Sequence, residues 1–436
     1  MSDLNMMQKS IDFIEENLKS ELTLADIASH AGFSPFHFCR IFQRAVGLPV
    51  MAYVLRRRLA HAAYDIACGK PVTGAALTYG FDTHAGFYKA FVREFDCSPA
   101  AVRNGRPIAK PYRIDLRQGD VIMMAQTRIK ALLKNWGHGD ASITPVVYEN
   151  SGITADNAWY VDAAYVFKAT GNLTGLKTHA AIAKALEKEG LCAPAPVKTT
   201  DGREYVTEGD LHFYLLPRLA GRPVNSRELM NAEDCAERAR QLGVLIGQLH
   251  KAFETQDGMF ACDEPDLIAV IRDWAMPMVQ KGMALPAAFL EEFMEAFQRL
   301  YPLMPKHLIH RDPNPSNILM RGEELTGFID FELGERNIRL FDPCYLTTAI
   351  LSETFPESAS PSDDRWFEIY HSVLQGYDTV CPLAREEREA APYVVFTIQM
   401  ICAAYFSSME KFQGLAETNK RMLYWLLENR EQLRLP

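Results

Sequence analysis

Two short apolar runs in this chain each end on charged residues. Leu308-Ile309 opens onto His310-Arg311-Asp312, with Asn317 five positions after Asp312, and Leu325 to Ile329 opens onto Asp330-Phe331-Glu332. Carboxylates and an amide at the ends of buried strands are costly unless they have partners. Divalent metal and phosphate are partners that fit. One carboxylate would position a hydroxyl, while an amide and a second carboxylate hold magnesium, which are the elements of phosphoryl transfer from a nucleotide. His-x-Asp alone is a weak signal; H-x-D-x-x-x-x-N followed by an apolar run into Asp-Phe is a strong signal, because several features must coincide. Singly, such residues cap turns. Three of them at this spacing behind two apolar runs ask for more than that.

Other elements must bring a nucleotide to these residues. Val146 to Tyr148, Ala158 to Val161 and Ala164 to Lys168 read as strands, with a polar turn from Glu149 to Thr154 between the first two. Lys168 directly follows an apolar strand, where it would pair the α- and β-phosphates; an ordinary strand-end lysine is the plainer reading. Ser151 and Asn157 could reach phosphate, although the turn holds a single glycine. The next helix, Thr178 to Glu189, carries no glutamate near Ala180 to steady Lys168, and His179 is the nearest polar residue. Leu211 to Pro217 reads as a buried strand whose backbone around Leu216 would hydrogen-bond an adenine ring. Ala232 to Phe253 is a long helix, and His250 near its end reads as a dipole contact. Residues 363–436 are helical in pattern.

The amino-terminal quarter has a different grammar. Thr23 caps Leu24 to Ala28 with Asp26 in the capping-box place, the helix stops at Gly32, and Pro35 opens a second helix to Arg44. The same unit recurs as Val72 to Thr78, Tyr79-Gly80-Phe81 and a helix from Thr83 to Phe95, so that Gly32-Phe33 and Gly80-Phe81 lie 48 residues apart. This is an internal repeat of helix-turn-helix units, joined by one long helix, Tyr53 to Cys68. Phe38, Phe42, Phe87 and Phe91 read as core. Phe36 and Tyr88 are either core or exposed readers, and Arg56-Arg57-Arg58 either a solvated face or a phosphate clamp.

Charge follows the same division. Residues 1–106 hold 12 Lys+Arg against 10 Asp+Glu, the remainder 34 against 45. A mildly basic head on an acidic body suits a small DNA-reading domain attached to a larger one. The length of 436 residues implies two to three domains at about 150 residues each. Nine cysteines without a C-x-x-C pair suggest reduced thiols in a cytoplasmic protein. No run approaches the ~20 apolar residues of a membrane span, and no signal core opens the chain.

LTLADIASHAGFSPFHFCRIF and YGFDTHAGFYKAFVREFDCSPAAVR together make the head resemble the AraC/XylS family of transcription regulators. That resemblance implies two recognition helices in the major groove, presenting Phe36, Cys39 and Arg40 from the first and His84, Ala85, Tyr88 and Lys89 from the second. The order lysine strand, helix, LLP strand, HRDPNPSN, IDFE and FDP resembles the aminoglycoside phosphotransferase and choline kinase family, with its two-lobed protein-kinase-like fold. It implies Asp312 as catalytic base, Asn317 and Asp330 as magnesium ligands, His310 as support of the loop, and Asp342 as its brace; Arg311 stands where that family commonly has glycine, as in protein kinases, and reads as a loop-packing residue or a regulatory arginine of the catalytic loop.

The expected fold is therefore multidomain. An all-α double helix-turn-helix domain spans 1–106, a linker 107–120, and an α+β two-lobed domain 121–436, with lobes at 121–220 and 221–436. The expected cofactors are ATP (or GTP) and Mg²⁺. The expected partners are double-stranded promoter DNA and a small hydroxyl-bearing substrate or effector, with no membrane; a homodimer stays open. So does the alternative in which the kinase-like body senses a ligand or nucleotide without turnover.

Overall fold

The computed structural model describes residues 3–46, 48–95, 97–104, 111, 114, 126–147, 154–209, 211–255, 258, 262–356, 364–409 and 412–436. Most of the expected linker, the turn holding Ser151, and Tyr148 at the end of the first expected strand lie outside them. The chain divides into two compact units. One comprises the helical head, a short helix and a five-stranded sheet; the other takes up residues 173–196 and everything from 217 onward.

The head is built from α1 (Asp3–Glu16), α2 (Leu24–His30), α3 (Pro35–Val46), α4 (Val50–Ala67), α5 (Val72–Thr78), α6 (His84–Phe95) and α7 (Pro99–Arg103). Its repeat is visible bond for bond. Gly32 and Gly80 adopt φ of 76° and 75°, a left-handed conformation glycine accepts without a Cβ penalty. Past each glycine the chain folds back, Phe33 N donating to Ala28 O (2.9 Å) and Phe81 N to Ala76 O (3.1 Å). The Thr23–Asp26 capping box is present in both directions. Phe38, Phe42 and Tyr53 fill one core, and Phe87, Phe91 and Leu59 the other, with α4 serving both. Each buried phenylalanine contributes on the order of 2–3 kcal/mol.

The arginine run settles neither as a solvated face nor as a phosphate clamp. Arg57 is buried and donates to Glu15 from Nε (2.6 Å) and Nη2 (2.9 Å). Arg58 donates to the carbonyls of Leu18 (2.9 Å) and Ser20 (2.7 Å), and Arg56 pairs with Glu94. All three rivet the linker helix to its neighbours.

After α8 (Gln126–Leu133), strands β1 (Ile143–Val147), β2 (Thr154–Val161), β3 (Tyr165–Thr170), β4 (Val206–Glu208) and β5 (Leu211–Pro217) form a sheet of order β1-β2-β3-β5-β4. Phe167 stacks on Phe213 at 5.9 Å and meets Trp136 edge-on, and these rings centre the core on one face of the sheet.

The second unit opens with α9 (Leu173–Lys188), five residues earlier than the apolar pattern predicts. β6 (Arg222–Pro223), α10 (Ser226–Asn231) and α11 (Cys235–Glu254) follow. Then come α12 (Leu267–Val270), one π turn (Ile271–Ala275), α13 (Met276–Gly282) and α14 (Ala287–Leu300). Four short strands carry the motif residues: β7 (Lys306–Ile309), β8 (Ile318–Arg321), β9 (Glu324–Phe328) and β10 (Glu335–Ile338). β7 pairs with β10, and β8 with β6 and β9, all antiparallel. Helices α15 (Phe341–Thr354), α16 (Arg365–Val380), α17 (Arg385–Ser407) and α18 (Gln413–Glu428) complete the unit. α17 is long and apolar enough to cross a membrane. Val394, Val395, Ile398 and Met400 on it are buried in this unit's main core, which accounts for that composition.

Candidate functional site

The ladder of β7 and β10 delivers His310, Arg311 and Asp312 at the end of β7, and a hairpin of β8 and β9 delivers Asp330. The loop between them is tightly wired. Asn317 Nδ2 donates to the Asp312 carbonyl (2.9 Å) and to its Oδ2 (3.3 Å), and Asn314 Nδ2 donates to Oδ1 (2.9 Å). The Tyr345 phenol, from α15, acts on the Asp312 carboxyl from nearby and lowers its pKa. Burial pushes the Asp312 carboxyl up from its ordinary value against the Asn314 hydrogen bond, and the neighbouring Asp330 carboxylate pushes the same way. Asp312, Asn317 and Asp330 are thus brought together.

Asp342, at the start of α15, braces the loop from beneath. Its Oδ2 accepts from His310 N (2.7 Å) and its Oδ1 from Arg311 N (3.0 Å). His250 Nε2 lies 2.9 Å from the same Oδ2, and its Nδ1 lies 2.8 Å from the Tyr377 hydroxyl. Burial alone would raise Asp342; the hydrogen bonds from His250 and the His310 backbone hold it below the usual carboxylate value. His250 is therefore no dipole contact. It lies on the buried stripe with Ile246 and Leu249, and a histidine there requires polar partners. That periodicity was the available signal.

Arg311 adopts φ of 73°. Its guanidinium pairs with Glu335 (Nε–Oε1 3.0 Å) and lies 4.0 Å from the Phe341 ring centroid, a packing role rather than a catalytic one. Asn337 Nδ2 donates to the same Glu335 oxygen (2.9 Å). His310 Nε2 donates to Ile329 O (3.0 Å), and its ring sits 4.4 Å from that of Phe331. Asn314, Tyr345 and Glu335 had no sequence signature, because each acts through a contact set by tertiary packing.

Among the described residues, no three His, Cys, Asp or Glu side chains cluster as a metal cage. Magnesium needs none: it takes one or two protein oxygens and fills the rest with water and phosphate. An amide oxygen from Asn317 and a carboxylate from Asp330 fit that demand, since the Asn317 nitrogen is already committed to Asp312.

In the other unit, Lys168 is partly buried on β3 in register with Ala158 of β2, Asn157 is partly buried on β2, and Leu216 is buried on β5. On the head, Phe36 is 77% and Tyr88 45% exposed, which overturns the core reading of both. Arg40 on α3 and His84, Ala85 and Lys89 on α6 are exposed as well, and Cys39 is partly so. Phe38, Phe42, Phe87 and Phe91 face inward, so α3 and α6 each turn the other side to solvent.

Two families match this chain over different residues. A helix-turn-helix domain family matches residues 27–105, and the phosphotransferase enzyme family matches residues 158–383. The HTH-type transcriptional activator AarP of Providencia stuartii is 35% identical over 100 residues, covering 23% of this chain and 74% of that protein. The HTH-type transcriptional regulator YbfP of Bacillus subtilis is 37% identical over 98 residues, 22% of this chain and 33% of that one. The right origin-binding protein of Escherichia coli is 31% identical over 125 residues, 28% and 43%. The chain thus spans most of the first relative and less than half of the other two.

Among solved structures, the microcompartment-associated aminopropanol kinase superposes with a TM-score of 0.53 at 16% identity, over 71% of this chain and 99% of its own. Amicoumacin kinase hAmiN, in complex with AMP-PNP, Ca2+ and Ami, gives 0.52 at 16%, over 70% and 92%. The GDP complex of wild-type aminoglycoside 2'-phosphotransferase-IIIa gives 0.50 at 14%, over 70% and 99%. At such identities the likeness is one of fold. This chain belongs to the phosphotransferase enzyme family and carries an AraC-type helix-turn-helix DNA-binding domain ahead of that body.

Proposed function

We propose that the protein is a sequence-specific transcription regulator whose body is an ATP- (or GTP-) and Mg²⁺-dependent phosphotransferase acting on a hydroxyl of a small molecule. The head would span 1–106, a linker 107–120 and the kinase body 121–436. The observation that carries the reading is the arrangement of Asp312: its carboxylate is held by Asn314 and Asn317 and lies in the field of Asp330. A carboxylate held in one orientation and raised by burial is suited to accept a hydroxyl proton as that oxygen attacks phosphorus. Asp342 and His310 keep the loop in register. Magnesium held by Asn317 and Asp330 would neutralise the nucleotide phosphates. Lys168 would pair their α- and β-oxygens, with Asn157 and Ser151 as further phosphate contacts and the backbone at Leu216 meeting the base. On the head, Arg40, Phe36 and Cys39 from α3 and His84, Ala85, Tyr88 and Lys89 from α6 would face the operator, Arg40 as the bidentate reader.

A second reading is favoured by one observation. α9 carries no carboxylate from 173 to 186, so the body could bind nucleotide or ligand and modulate DNA binding without turnover. The test is ATP consumption by the full chain with Mg²⁺ and a panel of hydroxyl compounds opening with aminopropanol and aminoglycosides, set against Asp312→Asn. Turnover that falls by about 10²–10⁴ in the variant supports the enzyme. Absence of any turnover above that variant, with nucleotide binding intact, supports the sensor.

A further inference from the structure

Asp330 adopts φ 68° and ψ 57°, a left-handed conformation that a residue with a side chain keeps only when its neighbours fix it. The peptide groups on both sides are fixed. Before it, Ile329 N donates to Asn317 O (3.0 Å) and Ile329 O accepts from His310 Nε2 (3.0 Å). After it, Phe331 N donates to His179 Nδ1 (3.2 Å), while His179 Nε2 lies 2.9 Å from Pro194 O. The His179 ring is fully buried. α9, which carries it, lies close against this turn: a Cβ built on Gly334 would stand 2.7 Å from Ile182 Cδ1 and 3.4 Å from Thr178 Cγ2.

We infer that His179 is a positioning residue for the metal-binding turn, joining α9 to the backbone that aims Asp330. The inference rests on the reading of Asp330 as a metal ligand. The chemistry favours imidazole at this point. A neutral ring accepts at one nitrogen and donates at the other, so it satisfies the Phe331 amide and the Pro194 carbonyl together. A carboxylate has no proton to give and would leave the buried carbonyl unmet. Without His179 the Phe331 N–H loses its acceptor inside the protein, and the turn is released to more favourable backbone angles that point Asp330 elsewhere.

The experiment uses the full chain, AMP-PNP and Mn²⁺ as a paramagnetic probe, with bound metal read by electron paramagnetic resonance and unfolding followed in parallel. His179→Ala should weaken Mn²⁺ binding at least fivefold while unfolding stays cooperative. His179→Asn keeps an acceptor close to the Nδ1 position and should recover most of the affinity. His179→Gln keeps the donor toward Pro194 and should recover less. Asp330→Asn should weaken binding more than any of them. Wild-type Mn²⁺ affinity in His179→Ala beside a loss in Asp330→Asn overturns the role of His179 alone. Wild-type affinity in Asp330→Asn overturns the metal reading and, with it, the inference. Should His179→Ala fail to fold, equal affinities in the Asn and Gln variants overturn the proposal.

Discussion

The most exacting demand on the body lies in the crossing of α11 and α16. A Cβ on Gly243 would sit 1.9 Å from Val373 O and 2.8 Å from Tyr377 N, and one on Gly376 would sit 1.9 Å from Arg240 O. Backbone meets backbone there, so no side chain can rotate out of the way. Gly243→Ala therefore forces the helices to separate by about 1.5 Å before an ordinary contact distance is reached. Overpacking of this kind costs up to about 3 kcal/mol, and alanine returns up to about 1 kcal/mol in helix propensity. A net loss of ~2 kcal/mol corresponds to a fall of roughly 4–8 °C in the body's unfolding midpoint. The same two helices carry His250 and Tyr377, whose 2.8 Å hydrogen bond backs Asp342, so separation also loosens the support of the His310–Asp312 loop. Calorimetry on the full chain measures the shift. Gly74→Ala is the control, because nothing lies within 4 Å of its Cβ; it should stabilise the head by up to about 1 kcal/mol. A body midpoint in Gly243→Ala within 1 °C of the parent, on the order of experimental error, would show that α11 and α16 do not meet at their backbones.

Three further outcomes follow from the head. Burial would raise Glu15, but hydrogen bonds from His61 and Arg57, with the Arg57 charge, bring it down from 4.5 to about 2. A carboxyl depressed on folding stabilises the fold above its unfolded value and loses that contribution as pH falls toward 2, here about 3 kcal/mol; thermal melts from pH 6 to 3 should show the loss, and Glu15→Gln should flatten it. An equally steep decline in Glu15→Gln would assign the effect elsewhere. Phe42 is fully buried between Phe38 and Tyr53, with ring centroids at 5.5 and 5.7 Å. Phe42→Ala should cost about 3–5 kcal/mol and abolish the head's cooperative transition while the body's remains, and simultaneous loss of both would refute independent domains. Arg40→Ala should weaken operator binding by ~1–3 kcal/mol in a footprinting titration if Arg40 reads a base; an unaltered footprint removes it from the interface.

What the sequence disclosed, and what it withheld, divides along the range of the interactions. Glycine turns, capping residues and apolar periodicity act within a few residues, so the head's repeat, the Thr23 cap and the inward phenylalanines were legible from local chemistry. The motif spacing likewise placed Asp312, Asn317 and Asp330 at the ends of short strands. Residues that act across the fold were not legible. His250 reaches Asp342 over 92 positions and His179 reaches Phe331 over 152, and no spacing rule spans such distances. The arginine run failed for the same reason, since its partners Glu15, Leu18, Ser20 and Glu94 lie about 40 positions away. A simple rule would have recovered some of this. A polar residue on a predicted buried stripe cannot remain unpaired, so His179 and His250, each on an apolar helix face, were already requests for a partner. Both partners are backbone or carboxylate groups of the proposed catalytic loops. Buried polar residues on the helices of this family are therefore the positions at which to look for what aligns the site.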